Sequence, residues 1–245
     1  IREYRIRLII RIYKMNKAFI TDDLFKISKK IDPQWDGHTI TIDNFYENAE
    51  DIYEWLENQQ YPLWKYNPDR ETQKNGVEYN DCRLVSRIPH ITRRFTQKMD
   101  MIYDICRQYF WKGDYDLHDN VYEFNCFQTL KHFDSTLQHF PHIDSKLDTP
   151  NELSTLNMIV YLDKEESGGT ACYHGEWIKN DESRNLLYPV KDIFELERII
   201  PAKFNRCVIF AGNRIHGAWI DDYNKYSEES GKWRYNHVNF LIPQQ

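Results

Sequence analysis

The sequence predicts a mainly β domain, a sandwich or double-stranded barrel with helices packed outside one sheet. Three observations lead there. After residue 121 the chain runs as short segments rich in β-branched and aromatic residues, separated by Gly, Asn, Asp and Pro. Ahead of them lie two stretches with apolar residues at helical spacing. A length of 245 residues suits one large domain, or a barrel core with helical additions, and is enough to bury a continuous core.

The opening, IREYRIRLIIRIYK, alternates basic and apolar residues as a strand would, and it lies ahead of Met15, where an independent start could fall. Residues 1–30 carry nine Lys/Arg against three Asp/Glu and read as a solvated basic arm or edge strand. In TIDNFYENAEDIYEWLENQQYP a short strand feeds a helix. Asn48 can cap it, acidic residues fill its first turn, and Ile52, Trp55 and Leu56 follow at helical spacing. In ITRRFTQKMDMIYDICRQYF, Phe95, Met99, Ile102 and Cys106 step by four, three and four to make one apolar stripe. Both helices read as buttresses, so residues 31–245 form one domain with a helical front half (31–120) and a β core (121–245).

The core segments are VYEFNCFQTL, STLNMIVYLD, GTACYHGEWI, NRCVIFAGN, RIHGAWI and RYNHVNFLI. Their regular spacing suits a sandwich or a double-stranded barrel. SGG at 167–169 supplies a tight turn between two of them. NPDRETQKNGVEYND and DDYNKYSEESGK read as polar loops and not as domain boundaries.

Composition narrows the function classes. The chain has 7 Trp, 17 Tyr and 13 Phe, a large supply of flat, partly polar packing surface. No window approaches a membrane-spanning length and no signal-like apolar run opens the sequence, so a soluble, cytoplasmic protein without a membrane partner is expected. Five scattered cysteines without a C-x-x-C point to reduced thiols, not to a disulfide framework. The net charge of −6, despite the basic start, leaves an acidic bulk that is no general nucleic-acid binder.

Two His-x-Asp pairs stand out, His132/Asp134 in KHFDS and His142/Asp144 in FPHIDSKLDT, where about one is expected by chance among nine histidines. An iron(II) that must bind a chelating cosubstrate and O₂ needs three sites filled by protein and three open, which two imidazoles and one carboxylate provide. On an extended segment His142 and Asp144 point the same way, because the side-chain period is two. The third ligand must come from a distant strand, and FAGNRIHGAWI offers His216 just after a Gly-Asn turn. A cosubstrate such as 2-oxoglutarate also needs a fixed cation for its far carboxylate, which a guanidinium meets with two parallel hydrogen bonds. Arg234 opens the last strand, and alternation puts Arg234, Asn236, Val238 and Phe240 on one face and His237 on the other. Lys232 is the substitute cation, a point charge in place of a fork.

Taken in order, PHIDS, LNMIVYLDKEESGGTACY, CVIFAGNRIHGAW and RYNHVNFL resemble the Fe(II)/2-oxoglutarate-dependent oxygenases, in their prolyl-hydroxylase-like branch, over about half the chain, residues 121–243. The segment TIDNFYENAEDIYEWL looks like that of an uncharacterised group within the branch. The resemblance implies a double-stranded β-helix (jelly-roll, cupin-like) core, with iron(II), 2-oxoglutarate and O₂ as cofactor and cosubstrates. It selects His142 and Asp144 over His132 and Asp134, which lie ten residues too early. It also implies that the Tyr161 hydroxyl bonds the 2-oxoglutarate carboxylate and that Asn157, four residues earlier on the same face, lines the same pocket. The expected activity is hydroxylation of a C–H bond in a peptide side chain or amino-acid-like molecule, releasing succinate and CO₂. Asp144 bears on this, since a halogenating relative would carry a small residue there. One departure from the pattern is the 18-residue interval from His216 to Arg234, with DDYNKYSEESGK as the apparent insertion. Two other classes share these features. One is a non-oxidative metal-binding jelly roll such as an isomerase. The other is a non-catalytic β-sandwich using aromatics such as Trp177 and Trp219 as a contact surface.

Overall fold

Seven strands pair antiparallel in the spatial order 34–35, 39–42, 206–211, 156–161, 234–241, 121–129 and 83–89, and three more in the order 194–201, 169–175 and 216–219. In chain order the elements are β1 (Gln34–Trp35), β2 (Thr39–Ile42), α1 (Ala49–Glu57), β3 (Arg83–Pro89), α2 (Asp100–Tyr109), β4 (Val121–Thr129) and β5 (Leu156–Tyr161). There follow β6 (Gly169–Gly175), β7 (Phe194–Pro201), β8 (Arg206–Ala211), β9 (His216–Trp219) and β10 (Arg234–Leu241). The structure, a computed structural model, describes residues 26–58, 83–89, 99–110, 121–129, 141–145, 149–150, 154–175, 194–227 and 229–242, with 83–89 and 121–129 described by their backbone. The basic arm up to residue 25, Phe95, His132, Asp134, Trp177 and the stretch 67–81 lie outside these residues. Among the described residues no helix is long and apolar enough to cross a membrane.

In β2, β5, β8 and β10 the larger sheet is buried on both faces, which is why β5 reads LNMIVY with little alternation. Its outer face carries Leu156, Met158, Val160, Cys207, Ile209, Tyr235 and Leu241, packed against Ile52 and Leu56 of α1 and Met99, Ile102 and Cys106 at α2. Each fully buried Leu, Ile or Met side chain contributes about 1.5–3 kcal/mol. The alternate residues face the other way. Tyr161, Val208 and Phe210 meet Cys172, Ile200 and Ala202 of the smaller sheet, so a second apolar layer joins the two sheets. Cys106, Cys172 and Cys207 are buried free thiols.

The structure corrects four sequence expectations. The front half is not simply helical: β1, β2 and β3 all join the larger sheet; the short strand ahead of α1 was anticipated, whereas β1 is too short for periodicity to register. Asn48 stands at the N-terminus of α1 but makes no side-chain cap; its Oδ1 accepts instead from the Lys26 backbone N–H at 3.1 Å. Strand β7 was not among the anticipated segments, because FELERIIP is charged and largely exposed. DDYNKYSEESGK is more than a polar loop. It turns through a 3₁₀ segment, Tyr223–Tyr226, whose last residue is fully buried.

The SGG turn is as tight as expected. Gly168 has φ +72°, and a Cβ there would lie 2.0 Å from the Trp219 carbonyl oxygen. Its N–H donates to Asp221 Oδ2 at 2.7 Å and its carbonyl accepts from Ala202 N–H at 2.8 Å, so the backbone cannot drift away. Gly168→Ala is therefore expected to destabilise the fold by about 2–4 kcal/mol, left-handed strain adding to a backbone collision. Denaturant unfolding should show a lower midpoint with unchanged slope.

Candidate metal centre

The segment from Pro141 runs alongside β9 and extends the smaller sheet. His142 N–H donates to His216 O at 2.8 Å and His216 N–H to His142 O at 3.0 Å, so the two histidines are a directly paired cross-strand couple. The chain is then clipped onto the turn after β8. Both Asp144 N–H (2.7 Å) and Ser145 N–H (3.1 Å) donate to Gly212 O, and Gly212 N–H donates to Thr155 O at 2.7 Å. A Cβ on Gly212 would sit 2.8 Å from Thr155 O, 3.1 Å from Ser145 Oγ and 3.4 Å from Asp144 Cβ. This close approach requires glycine, and it fixes the carboxylate relative to His216.

These constraints bring His142, Asp144 and His216 together, with one ligand atom of each within 4.8 Å of the others. His142 Nε2 lies 3.8 Å from Asp144 Oδ1, and His216 Nε2 lies 3.2 Å from Asp144 Oδ2. Adjacent ligands of a six-coordinate ion with bonds near 2.1 Å stand about 3 Å apart, so small side-chain adjustments suffice. His216 Nδ1 is 2.8 Å from the Arg214 carbonyl oxygen. With a cation bound, the proton would sit on Nδ1 and be donated there, and Nε2 would turn its lone pair to the ion in place of its hydrogen bond to Asp144. The ring of His216 is buried and meets Phe210 edge-on at 4.7 Å, whereas His142 is half-buried. Burial alone would raise the Asp144 carboxyl, but the hydrogen bond and charge of His216, the charge of His142 and the hydrogen bond from Asn157 outweigh it and hold the pKa at about 2. The group is an anion at neutral pH.

Asn157 tests whether the donor set fits a cation. Its Nδ2 donates to Asp144 Oδ2 at 2.6 Å and lies 3.1 Å from His216 Nε2, while its Oδ1 is buried with no partner. An orphaned acceptor costs about 1–3 kcal/mol, and a hydrated divalent ion offers the missing donor in a water ligand. Two imidazoles and a carboxylate, beside a buried acceptor still without a donor, fit such an ion, which iron(II) satisfies.

Further along the same inner face of β5, about 13 Å away by strand rise, stands Tyr161. Its hydroxyl is 2.5 Å from Thr170 Oγ1, and burial pushes its pKa up to about 12, so it is a neutral donor or acceptor. Opposite it on β10, Asn236 pairs with Tyr161 in register, and Arg234 follows at the strand start. The Arg234 guanidinium is buried at 5 % exposure, 5.9 Å from the centre of the Tyr161 ring, and donates through Nη2 to Gly169 O at 3.3 Å. With its amide oxygen turned towards the arginine, Asn236 accepts from Arg234 Nη1 at 3.0 Å.

Arg234 differs from its counterparts in one respect. Arg107, Arg198, Arg206 and Arg214 each meet a carboxylate, from Asp104, Asp36, Asp43 and Glu197. Among the described residues no carboxylate comes within ion-pair distance of Arg234. Lys232 does not substitute for it, being exposed and paired with Glu165. His237 is on the outer face, its Nδ1 2.5 Å from Tyr46 Oη. Trp219 is half-buried and donates to Asp221 Oδ1 at 2.8 Å. Sequence reasoning missed the role of Thr170, although it stands in the Gly-Gly-Thr signal, and the tautomer-setting Arg214 carbonyl, which as main chain leaves no sequence signal.

No family model matches the chain, and no curated protein matches it. Solved structures do show similarity. SnoN, a non-heme α-ketoglutarate-dependent epimerase from nogalamycin biosynthesis, aligns over 84 % of this chain and 76 % of its own at 10 % identity and a TM-score of 0.47. HygX from Streptomyces hygroscopicus, solved with nickel and 2-oxoglutarate bound, aligns over 84 % and 83 % at 12 % identity and 0.47. SnoK, a non-heme α-ketoglutarate-dependent carbocyclase also from nogalamycin biosynthesis, aligns over 84 % and 79 % at 16 % identity and 0.45.

Proposed function

We propose that the chain is an iron(II)- and 2-oxoglutarate-dependent dioxygenase of the prolyl-hydroxylase-like branch, built on a double-stranded β-helix, that hydroxylates a C–H bond. The observation that carries this reading is a pairing on one inner face. A His-Asp-His tripod stands at one end, and at the other a buried guanidinium that meets no carboxylate among the described residues. A buried cation is costly until an anion reaches it, so Arg234 favours a ligand with a terminal carboxylate. A dicarboxylate that chelates the metal through its keto-acid end extends along β5 towards Arg234, past the half-buried Ile159. Two antiparallel sheets joined by one apolar layer support the β-helix reading.

In this reading His142, Asp144 and His216 hold the ion by one face and leave the other face for ligands. Asn157 steadies the Asp144 oxygen, and its own buried Oδ1 is left for a water or ligand donor. Arg234 grips the far carboxylate, Asn236 orients the guanidinium, and Tyr161 with Thr170 contributes a hydroxyl pair beside it. Bound iron supplies the O₂ activation that turns 2-oxoglutarate into succinate and CO₂ and oxidises the substrate. The carboxylate of Asp144 occupies the position a halide would need, which favours hydroxylation. The substrate class is a peptide side chain or amino-acid-like molecule, and the free buried thiols suit a cytoplasmic setting.

Mixing the protein anaerobically with iron(II) and 2-oxoglutarate should give a weak visible charge-transfer band, and admitting O₂ should yield slow succinate formation even without substrate. Iron uptake with neither band nor succinate would transfer the site to non-oxidative metal chemistry.

A further inference from the structure

The absence of an ion pair at Arg234 is unexpected from the register. Asn236 pairs with Tyr161, and Leu162 N–H donates to Tyr235 O at 3.0 Å, so the chain follows β10 one step past the last register pair before turning at Asp163, close enough for the Arg234 charge to act on its carboxyl. Opposite charges that neighbour one another across adjacent strands ordinarily join. Both groups are buried, at 5 % exposure each, where an ion pair would be strongest. Yet they do not meet.

The reason lies in the insertion between β9 and β10. Its 3₁₀ turn plants Tyr226 at full burial, and the phenol donates its hydrogen to Asp163 Oδ2. The other oxygen, Oδ1, accepts from the Glu165 backbone N–H at 3.1 Å. Both carboxylate oxygens are thus engaged away from the arginine. The insertion is itself anchored on both sides, by Asp221 to Gly168 N–H and by Lys232 to Glu165, so the phenol is held in place. Burial raises the Asp163 carboxyl above its ordinary range against the Tyr226 hydrogen bond, and the Arg234 charge acts on both groups.

We propose that Tyr226 is a positioning residue that restrains Asp163 from Arg234 and so keeps the guanidinium available to an anionic ligand. This rests on the reading that Arg234 anchors 2-oxoglutarate. Without the phenol hydroxyl, Asp163 is free to turn onto Arg234, and an internal carboxylate then competes with the cosubstrate.

The test is calorimetric binding of 2-oxoglutarate to the manganese(II)-loaded, anaerobic full chain. Tyr226→Phe should weaken binding by about 10-fold or more, and Tyr226→Phe with Asp163→Asn should return it to within about threefold of wild type. A merely structural role for Tyr226 leaves the double variant as weak as the single one, and that result, like an unaffected Tyr226→Phe, overturns the proposal. A second pair keeps Tyr226 in place. Asp163→Glu, whose longer carboxylate reaches the arginine, should bind at least about 10-fold more weakly than Asp163→Asn, and equal affinities count against the restraint. Binding that is equal in wild type and Arg234→Ala removes the anchor reading itself, and this one with it. Loss of affinity in Arg234→Ala with no response at Tyr226 or Asp163 removes this one alone.

Discussion

His142→Ala is expected to weaken metal binding by about 100-fold or more, as read by a competitive metal titration. The side chain supplies one of three donors, and neither remaining neighbour replaces it: Asn157 Nδ2 is a donor to Asp144, and Ser145 Oγ accepts from Thr155 N–H at 3.0 Å. The loss should also leave Asp144 without one of the two imidazoles that favour its anionic form. Because His142 joins β9 through its backbone, alanine keeps the hydrogen-bond ladder, and the variant should remain folded. The companion substitution His132→Ala should change metal affinity by less than about twofold. The reverse ranking would assign the ligand role to the upstream pair.

Arg234→Ala is expected to weaken 2-oxoglutarate binding by two to three orders of magnitude, about 3–4 kcal/mol, while leaving metal affinity nearly unchanged. The guanidinium is desolvated and offers a fork, so the lost contact is charge-assisted and bidentate. It sits at the opposite end of the inner face from the tripod, which separates the two effects. Equal losses of metal and cosubstrate would give Arg234 a structural role. Arg234→Lys should recover only part of the affinity, since an ammonium makes a point contact and the Asn236 and Gly169 oxygens are set for a planar group.

The parts of this site that were legible in the sequence share one property: each is fixed by a strand period or a turn. His142 and Asp144 two apart, His216 after Gly-Asn, and Arg234 with Asn236 on the face away from His237 all follow from a period of two. The larger sheet's buried strands were legible for a different reason, as short runs rich in β-branched and aromatic residues between turn residues. What was not legible depends on contacts between distant segments. Asp163 and Tyr226 lie 63 residues apart and carry no shared pattern, so a polar stretch concealed a buried phenol. Asn48 had the residue type and place of a cap, but the neighbouring chain at Lys26 claimed its oxygen first. Strand β7 escaped because its exposed face is charged, and β1 because two residues carry no period.

The backbone pairing of His142 with His216 has a further consequence for how the ligands are ordered. Their main-chain positions are set by the same two hydrogen bonds that hold the sheet edge together, so the conformational entropy of bringing two imidazoles side by side is lost when the protein folds, not when the ion arrives. The cation then meets a nearly assembled face, and releasing it does not require the strand edge to open. Metal exchange at this face is therefore expected without opening of the strand edge, which hydrogen exchange at the His142 and His216 amides during metal loading would check.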